Sequence, residues 1–340
     1  MNSKIQELNQ RLIDLSKTPI ALGLSGKMGY SLYFYTIGLT DSKYTEIAES
    51  LLDSVCINIQ NYSHSLDLER GLPGIGLGIN YLVKKKFVCG DINQILQQFD
   101  DTLFKMLIFP RKKLNWFENL LSLYYYSIRI RDQKPDSERE YIYKKVIYKI
   151  LNEASLLSDD LFEEPYIFSL EYKLPIFLFV LSELYQIDFF QNKIKKIIDE
   201  ITHKTISQIP VLHSHKIYLA LGMSLVSKQM SLPAWEKHIF LIKKEIEVDL
   251  MFKVEFREKN LFFKNGLTGI IFLIIQFNKL LPSSERILFN PSFIEQRIKK
   301  TDIYNRFLNE RESFANNSGL FGFCSLSLLE NHILQYYGKI

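Results

Sequence analysis

The side chains of this sequence that could bind a ligand are gathered at three points, each directly before a run of apolar residues. The three clusters are Tyr172-Lys173, His213-x-His215-Lys216 and Lys264-Asn265. The first backbone amides of a helix favour anions. Cationic and polar side chains at the same place add to this preference, so such a helix start can bind an anionic group. We therefore predict a substrate-binding site made of Tyr172, Lys173, His213, His215, Lys216, Lys264 and Asn265.

A metal site is not predicted from these residues. A pair of histidines is too few for a structural zinc site, and no third ligand follows at a suitable spacing. The three cysteines, Cys56, Cys89 and Cys324, are far apart and include no C-x-x-C pair. We expect no cofactor and assign no catalytic residue. The alternative interpretation is that the histidines are partly exposed turn residues and the lysines are unrelated surface residues.

A glycine-rich turn of the form G-L-x-G recurs before four apolar runs and sets the frame for these clusters. It begins at Gly23, Gly71, Gly266 and Gly319. The first two copies are 48 residues apart and the last two are 53 apart, while the gap between the pairs is 195 residues, or four steps of about 49. The spacing therefore predicts seven repeats, three of which have lost their glycines.

The three repeats without glycines can be located at the expected phase. They begin near Asn119, Lys173 and His213. Asn119 stands where a glycine is expected, and asparagine tolerates a left-handed backbone better than most residues. A phosphate-binding role for the turn at Gly71 is set aside, because four copies of one turn cannot each bind a nucleotide. Close packing of the backbone is the simpler explanation of the glycines. We expect any catalytic or binding chemistry in the repeats whose turn has lost them.

Each repeat pairs an amphipathic segment with one that is apolar on most sides. Segment 42–59 has the first pattern and segment 28–35 the second. Two concentric rings of helices require this alternation, because the outer ring faces water on one side and the inner ring does not. We predict an all-α fold, an α/α toroid of seven inner and seven outer helices that forms one domain over residues 1–340. Segment 249–265, with partly alternating polarity, predicts a short hairpin or an extended loop.

Composition limits the classes of partner. The 340 residues are 47% hydrophobic and carry a formal net charge of +4, which is too mild to indicate a nucleic-acid-binding surface. No apolar run approaches the roughly 18 residues of a membrane span, and the N-terminus lacks the continuous apolar stretch of a signal peptide. An odd and scattered set of cysteines suits a reducing compartment. We therefore expect a cytoplasmic protein without a membrane-spanning segment.

Seven helix pairs with a G-L-x-G turn before the inner helix resemble the lanthionine synthetase C (LanC-like) family, the cyclases of lanthipeptide biosynthesis and their relatives. The resemblance implies an α/α toroid and, in the family, a zinc ion held by a cysteine of the fifth repeat and by a Cys-His pair in the C-H-G turn of the sixth. This sequence has Lys264-Asn265-Gly266 at the C-H-G position, no cysteine from Val211 to Lys216, and Tyr172 where the family's A-H-G turn would place a histidine. The zinc-dependent addition of a thiol to a dehydrated residue therefore carries over to no residue here.

Three functions remain open at this point. The first is a zinc-less LanC-like protein that acts in maturation of a lanthipeptide or related ribosomally made peptide, by binding the precursor peptide or a dehydratase-type partner enzyme. The second is an active cyclase in which a lysine or histidine assists thiol deprotonation without a metal. The third is an α/α barrel acting on carbohydrate, which needs paired carboxylates; Glu69, Glu118 and Glu171 are the candidates. We predict the first.

Overall fold

The computed structural model describes residues 3–59, 65–110, 113–152, 154–256, 260–309 and 319–336. Throughout these residues the regular structure is helical and contains no β-strand, which confirms the all-α prediction. The α-helices in this part of the chain are α1 (Ser3–Ser16), α2 (Lys27–Gly38), α3 (Lys43–Asn58), α4 (Leu72–Lys84), α5 (Ile92–Ile95), α6 (Gln97–Ile108), α7 (Trp116–Arg131), α8 (Glu138–Asn152), α9 (Lys173–Tyr185), α10 (Gln191–Ile206), α11 (His213–Ser227), α12 (Pro233–Lys244), α13 (Val248–Val254), α14 (Leu267–Asn278), α15 (Pro291–Lys299), α16 (Asp302–Asn309) and α17 (Phe323–Tyr336).

Seven of these helices match the predicted apolar segments: α2, α4, α7, α9, α11, α14 and α17. Helix α2 illustrates the pattern, because its buried residues lie on all sides and leave no polar face. Helix α3, which follows it, instead buries Tyr44, Ala48, Leu51 and Val55, at spacings of four, three and four residues. Such spacing places the buried residues on one face of the helix, so α3 is amphipathic as predicted.

The predicted amphipathic segments also form helices, with two interruptions. They correspond to α1, α3, α6, α8, α10, α12 and the pair α15 and α16. Leu96 separates the short α5 from α6, so that segment 92–108 is not one continuous helix. A second break separates α15 from α16 within the last amphipathic segment. The alternation of the two helix types is therefore as predicted, while the number of pieces is larger.

The third repeat begins differently from the prediction. Helix α7 starts at Trp116, and its N-terminus is closed by a capping box in which Asn115 and Glu118 each accept a hydrogen bond from the other's backbone amide, at 2.8 Å in both directions. Asn119 consequently lies inside the helix, where it is buried. The expectation of a left-handed backbone at Asn119 is wrong, because a capping box starts this helix where a glycine turn was expected.

Segment 249–265 does not form a hairpin in its described part. Its first half belongs to α13, and residues 260–266 form a turn that leads into α14. Residues 257–259 lie outside the described residues. The hairpin was predicted from the partly alternating polarity of this segment. Met251 and Phe252 are adjacent in sequence and are both buried, whereas adjacent residues of a strand point to opposite faces.

The chain divides into two compact units, each made of more than one stretch of sequence. The first contains Met1–Leu103, Lys259–Thr268 and Asn290–Ile340, and the second contains Phe104–Glu258 and Gly269–Phe289. In the first unit, α2 packs against α3, α4 and α17. In the second unit, α9 packs against α7 and α11, while α8 and α12 pack on α7 and α11 respectively. The toroid and the single domain stay predictions.

The first and seventh repeats are neighbours in the first compact unit. The backbone amide of Leu320 donates to the carbonyl oxygen of Leu24 at 2.9 Å, which joins the two glycine turns. Further along the same helices, the hydroxyl groups of Tyr33 in α2 and Ser327 in α17 lie 2.7 Å apart in a buried position, and the Tyr33 hydroxyl also donates to Asn9 of α1. The start and the end of the described chain therefore share one core.

The second and sixth repeats, also in the first compact unit, have the same backbone geometry before their helices. The amide of Leu72 donates to the carbonyl of Ser65 at 3.0 Å, and the amide of Leu267 donates to the carbonyl of Asn260 at 2.9 Å. Both bonds span seven residues and close a loop directly before the helix. The equivalence of two repeats that are 195 residues apart is thus visible in their hydrogen bonds as well as in their sequence.

Gly266 shows why this loop requires glycine. A Cβ atom at this position would lie 2.5 Å from the carbonyl oxygen of Asn260 and 2.6 Å from that of Phe262. Gly71 meets the carbonyl oxygens at the equivalent positions, those of Ser65 and Asp67. Backbone oxygens of a closed loop cannot move away at low cost, so the glycine serves close approach of the backbone rather than a left-handed conformation.

Candidate functional site

The start of α11, in the second compact unit, is closed by two carboxylates from distant parts of the sequence. Glu255 accepts hydrogen bonds from the backbone amide of His213 at 2.6 Å and from the amide and hydroxyl of Ser214 at 3.1 and 2.5 Å. Glu164 accepts from the amides of Val211 and Leu212 at 2.7 and 3.0 Å. The anion site predicted at this helix start is therefore occupied by the protein's own side chains.

Glu164 also binds His215. The Nδ1 atom of His215 lies 2.9 Å from the Glu164 carboxylate. Burial raises the pKa of Glu164, but the hydrogen bonds from His215 and from the two backbone amides outweigh it and hold the pKa below its ordinary value. Glu164 therefore stays ionised at neutral pH and joins residues 164–169 to the start of α11.

Both ring nitrogens of His215 are engaged. Its Nε2 atom accepts a hydrogen bond from the backbone amide of Ser169 at 3.2 Å, which requires Nδ1 to carry the proton donated to Glu164. The side chain is fully buried, with the ring of Tyr172 centred 4.9 Å from the imidazole. His215 is thus not the partly exposed turn residue of the alternative interpretation, and it has no free lone pair for a metal or for proton abstraction.

His213 and Lys216 face other groups of the second unit. The Nδ1 atom of His213 lies 3.0 Å from the carbonyl of Glu245 and 3.2 Å from the amide of Glu247, and the side chain is half-buried. The ammonium of Lys216 pairs with the Glu245 carboxylate at 3.2 Å. Both side chains therefore hold the segment that follows α12 against the start of α11.

Tyr172 and Lys173 start α9 in the same unit. Tyr172 is fully buried, its hydroxyl has no hydrogen-bond partner, and burial raises the pKa of that hydroxyl above its ordinary value. Lys173 pairs with the carboxylate of Asp160 and lies 5.7 Å above the ring of Trp116. The hydrogen bond from Lys173 is the main reason that the pKa of Asp160 is lowered.

The structure thus brings five of the seven candidates together at the starts of α9 and α11, but it does not open them to a ligand. The buried rings of Tyr172 and His215 are in contact, and the ammonium groups of Lys173 and Lys216 are paired with carboxylates. A peptide would reach Tyr172 or His215 only after this region opened. Their predicted role in substrate binding stays a prediction.

The other two candidates line a cleft of about 190 Å³ in the first compact unit. The cleft is formed by the turns of the sixth, seventh, first and second repeats, all of which keep their glycines. Its lining residues are Ser25, Glu69, Asn260, Phe262, Lys264, Asn265, Gly319, Phe321 and Gly322. This position differs from the expectation that a site would form where the turn has lost its glycines.

An ion pair joins two turns that line the cleft. The ammonium of Lys264 lies 3.2 Å from the carboxylate of Glu69, and the two side chains are 38% and 36% exposed. Each of these residues stands two positions before the first glycine of its repeat, Gly266 and Gly71 respectively. The repeat register could have predicted this pair, since equivalent positions of opposite charge were visible in the sequence, but only the fold shows that they meet.

Asn265 lines the cleft and carries a buried hydrogen-bond acceptor. Its Oδ1 atom is buried and has no hydrogen-bond partner. The aromatic rings of Phe262 and Phe321, which sequence reasoning did not single out, line the same space. An N–H donor next to an apolar group would match these surroundings, because a buried acceptor without a partner is costly. A peptide backbone amide beside an apolar side chain has this chemistry.

Two of the three carboxylates considered for a carbohydrate-active barrel have other roles. Glu118 closes the start of α7 through its capping box, and Glu69 pairs with Lys264. Among the described residues, no group of three or more histidine, cysteine, aspartate or glutamate side chains could hold a metal ion. Cys324 is fully buried, which raises the pKa of its thiol, whereas Cys56 and Cys89 are exposed.

In the part of the chain that the structure describes, no single helix is both long and apolar enough to cross a membrane. Two segments, Lys173–Tyr185 and Asp188–Ile206, would satisfy length and composition only together, and they are bent by 119°. The apolar side of the first segment is explained by the protein itself, because Leu174, Phe177 and Leu181 are fully buried.

Comparisons of the chain with protein families, with curated proteins and with solved structures found no match. The resemblance to LanC-like proteins therefore depends on the residues of this chain alone, namely the recurring glycine turn and the helix that follows each copy.

Proposed function

We propose that the chain is a LanC-like protein whose seven helix pairs close into an α/α toroid. The support is that the seven apolar helices lie at the predicted segments and alternate along the chain with amphipathic helices. Within the first compact unit, α17 of the seventh repeat packs against α2 of the first, a neighbour relation that ring closure requires. The equivalent hydrogen bonds at Leu72 and Leu267 support a common structure of the repeats.

The proposed function is maturation of a lanthipeptide or a related ribosomally made peptide by binding, without zinc, of the precursor peptide or of a dehydratase-type partner enzyme. The observation that carries this proposal is the cleft at Lys264 and Asn265, the residues that replace the family's C-H-G ligands. Two aromatic rings and the Lys264–Glu69 ion pair line this cleft and match the apolar and polar groups of a peptide. A peptide N–H group that reached the buried Oδ1 atom of Asn265 would also satisfy an acceptor that has no partner in the protein. None of these groups is a zinc ligand of the expected type.

Binding is favoured over metal-free cyclisation by the state of the basic groups. A base for thiol deprotonation needs a free lone pair within reach of the substrate. Both nitrogens of His215 are hydrogen-bonded inside the protein, and Lys173 and Lys216 are held by Asp160 and Glu245. These three groups serve the packing of the helix starts, and none of them offers a free lone pair to a substrate. We assign no catalytic residue.

The test combines metal content, cyclisation and binding. The purified protein is analysed for zinc, and is then incubated with a peptide that contains cysteine and dehydroalanine. We expect no stoichiometric zinc and no ring formation above the spontaneous rate, together with saturable binding of the peptide. Stoichiometric zinc or accelerated ring formation would overturn the proposal in favour of a cyclase.

The role of the cleft is tested by a matched pair of variants. Asn265→Ala removes the buried acceptor, and we expect it to weaken peptide binding by about tenfold, the effect of about 1.4 kcal/mol. Asn192→Ala removes an exposed asparagine of α10 and serves as the control, with no expected effect. Equal affinity of both variants would show that the peptide does not bind at this cleft.

A further inference from the structure

Four large apolar side chains near the start of α11, all in the second compact unit, are exposed. Tyr166 is fully exposed, and Ile167, Ile209 and Val211 are 67%, 60% and 82% exposed. Single exposed apolar residues are common on protein surfaces, but a group of four in two neighbouring segments is the kind of patch that marks an interaction site. We call these four residues the α11-start patch.

The two segments that carry the patch are fixed to each other. Glu164, two residues before Tyr166, accepts hydrogen bonds from the backbone amides of Val211 and Leu212. On the other side of the patch residues, the amide of Ser169 donates to His215. The exposed side chains therefore stand on a pre-organised backbone, and a partner would not have to order a loose loop in order to bind them.

The charges around the patch are mainly negative. Lys173 and Lys204 are paired with Asp160 and Asp159, so these four charges compensate one another. The exposed acidic residues Glu163, Glu247 and Asp249 remain, against exposed Lys244 and Lys253, so negative charges outnumber positive ones. Glu247, Asp249 and Lys253 belong to the segment that Glu255 joins to the start of α11.

We propose that the α11-start patch binds a peptide segment in which apolar residues are flanked by lysine or arginine. The apolar residues would cover the four exposed side chains, and the basic residues would face the surrounding carboxylates. An anionic membrane surface fits less well, because the same carboxylates would repel it. The inference does not depend on the proposed function, since it rests on a different set of residues from the cleft.

The test uses three fluorescent peptides of equal length and the full-length protein. One alternates leucine with lysine, the second leucine with glutamate, and the third serine with lysine. At low ionic strength we expect the leucine–lysine peptide to bind at least about tenfold more tightly than either of the others, because only it satisfies both the apolar and the charged surroundings. Equal binding of the leucine–glutamate peptide, or no binding of any of the three, would overturn the proposal.

Variants locate the binding. Tyr166→Ser combined with Val211→Ser should weaken binding of the leucine–lysine peptide by about tenfold. Leu39→Ser combined with Ile57→Ser is the matched control, because these residues are 75% and 73% exposed but lie in the first compact unit. A loss that is equal in the two double variants would reject the patch as the binding site.

Other occupants have their own signatures. Dimerisation in sedimentation velocity that the Tyr166→Ser and Val211→Ser variant abolishes would show that a second copy covers the patch and would overturn the peptide proposal. Binding to vesicles of anionic phospholipid that the same variant abolishes would overturn it in favour of a membrane. If Asn265→Ala abolished leucine–lysine binding while the Tyr166→Ser and Val211→Ser variant left it intact, the peptide would bind in the cleft of the proposed function, and the patch proposal would be overturned.

Discussion

The start of α11 and the starts of α4 and α14 solve one physical problem in two ways. The first backbone amides of any helix lack partners within the helix. At α4 and α14 the backbone itself turns back, so that the amides of Leu72 and Leu267 reach carbonyl groups seven residues earlier. At α11 the amides are bound by the carboxylates of Glu164 and Glu255, which come from distant parts of the sequence.

The difference decides what each region can offer a ligand. A turn closed by its own backbone needs glycine, and it leaves the side chains before the glycine available to line a cleft, as Lys264 and Asn265 do. A start closed by side chains needs no glycine, but the groups that could have bound a ligand are consumed. At α11, which lacks the glycine turn, the polar groups of the helix start are bound within the protein instead.

The largest expected effect comes from filling the backbone turn. Gly266→Ala would place a Cβ atom 2.5 Å from the carbonyl oxygen of Asn260, so the loop must shift, and we expect the free energy of unfolding to fall by about 3 kcal/mol or more. The measurement is urea unfolding followed by circular dichroism. Gly78→Ala is the comparison, because its Cβ would lie 2.8 Å from Cε and 2.9 Å from Cγ of Met28 and would meet no backbone atom as closely. A side chain can repack more easily than a closed backbone loop, and alanine favours the helix, so we expect a smaller loss than at Gly266. Equal stability of the two variants would contradict a need for close approach.

The second effect comes from removing a carboxylate at α11. Glu164→Ala leaves the amides of Val211 and Leu212 and the Nδ1–H group of buried His215 without their acceptor, and we expect a loss of about 2–4 kcal/mol. Glu163→Ala is the matched control, since Glu163 is the exposed neighbour, and we expect at most about 0.5 kcal/mol. The same urea experiment measures both. A small effect at Glu164 would mean that water replaces the carboxylate at little cost.

The third effect is the pH dependence of the same contact. The pKa of Glu164 is lowered in the folded protein, so its contribution to stability is complete above the unfolded pKa of about 4.3 and is lost as pH falls through the lowered value. The difference in urea midpoint between the wild-type protein and Glu164→Gln should therefore shrink between about pH 6 and pH 3. A difference that stays constant with pH would show that the charge of Glu164 is not what stabilises the start of α11.

The glycine repeat allowed the positions of the helices to be predicted, whereas the contacts between repeats could not be. Period and polarity locate the seven apolar helices because both signals are local in sequence. The carboxylates at the start of α11 come from about 40 to 50 residues away in the sequence; Glu164, for example, binds the amide of Leu212. No local sequence pattern predicts such contacts. For the same reason Lys264 and Asn265 could be named as candidates, while their surroundings, such as Phe321, required the fold.

The smallest effect on stability is expected at the Lys264–Glu69 ion pair, and it sharpens the comparison between an open and a closed region. Each side chain is more than one-third exposed, so water screens the attraction between the two charges. A double-mutant cycle with Lys264→Met and Glu69→Gln should therefore give a coupling energy of about 0.2–1 kcal/mol. This coupling should decrease in high salt. The matched pair is Lys204–Asp159, which has a similar distance of 3.1 Å but more exposed side chains, and its coupling should be smaller still. Urea unfolding at two salt concentrations measures both cycles. A Lys264–Glu69 coupling above about 2 kcal/mol would show that the ion pair is a major stabilising contact between the two turns. The polar groups of the cleft would then stabilise the fold, as those at the start of α11 do.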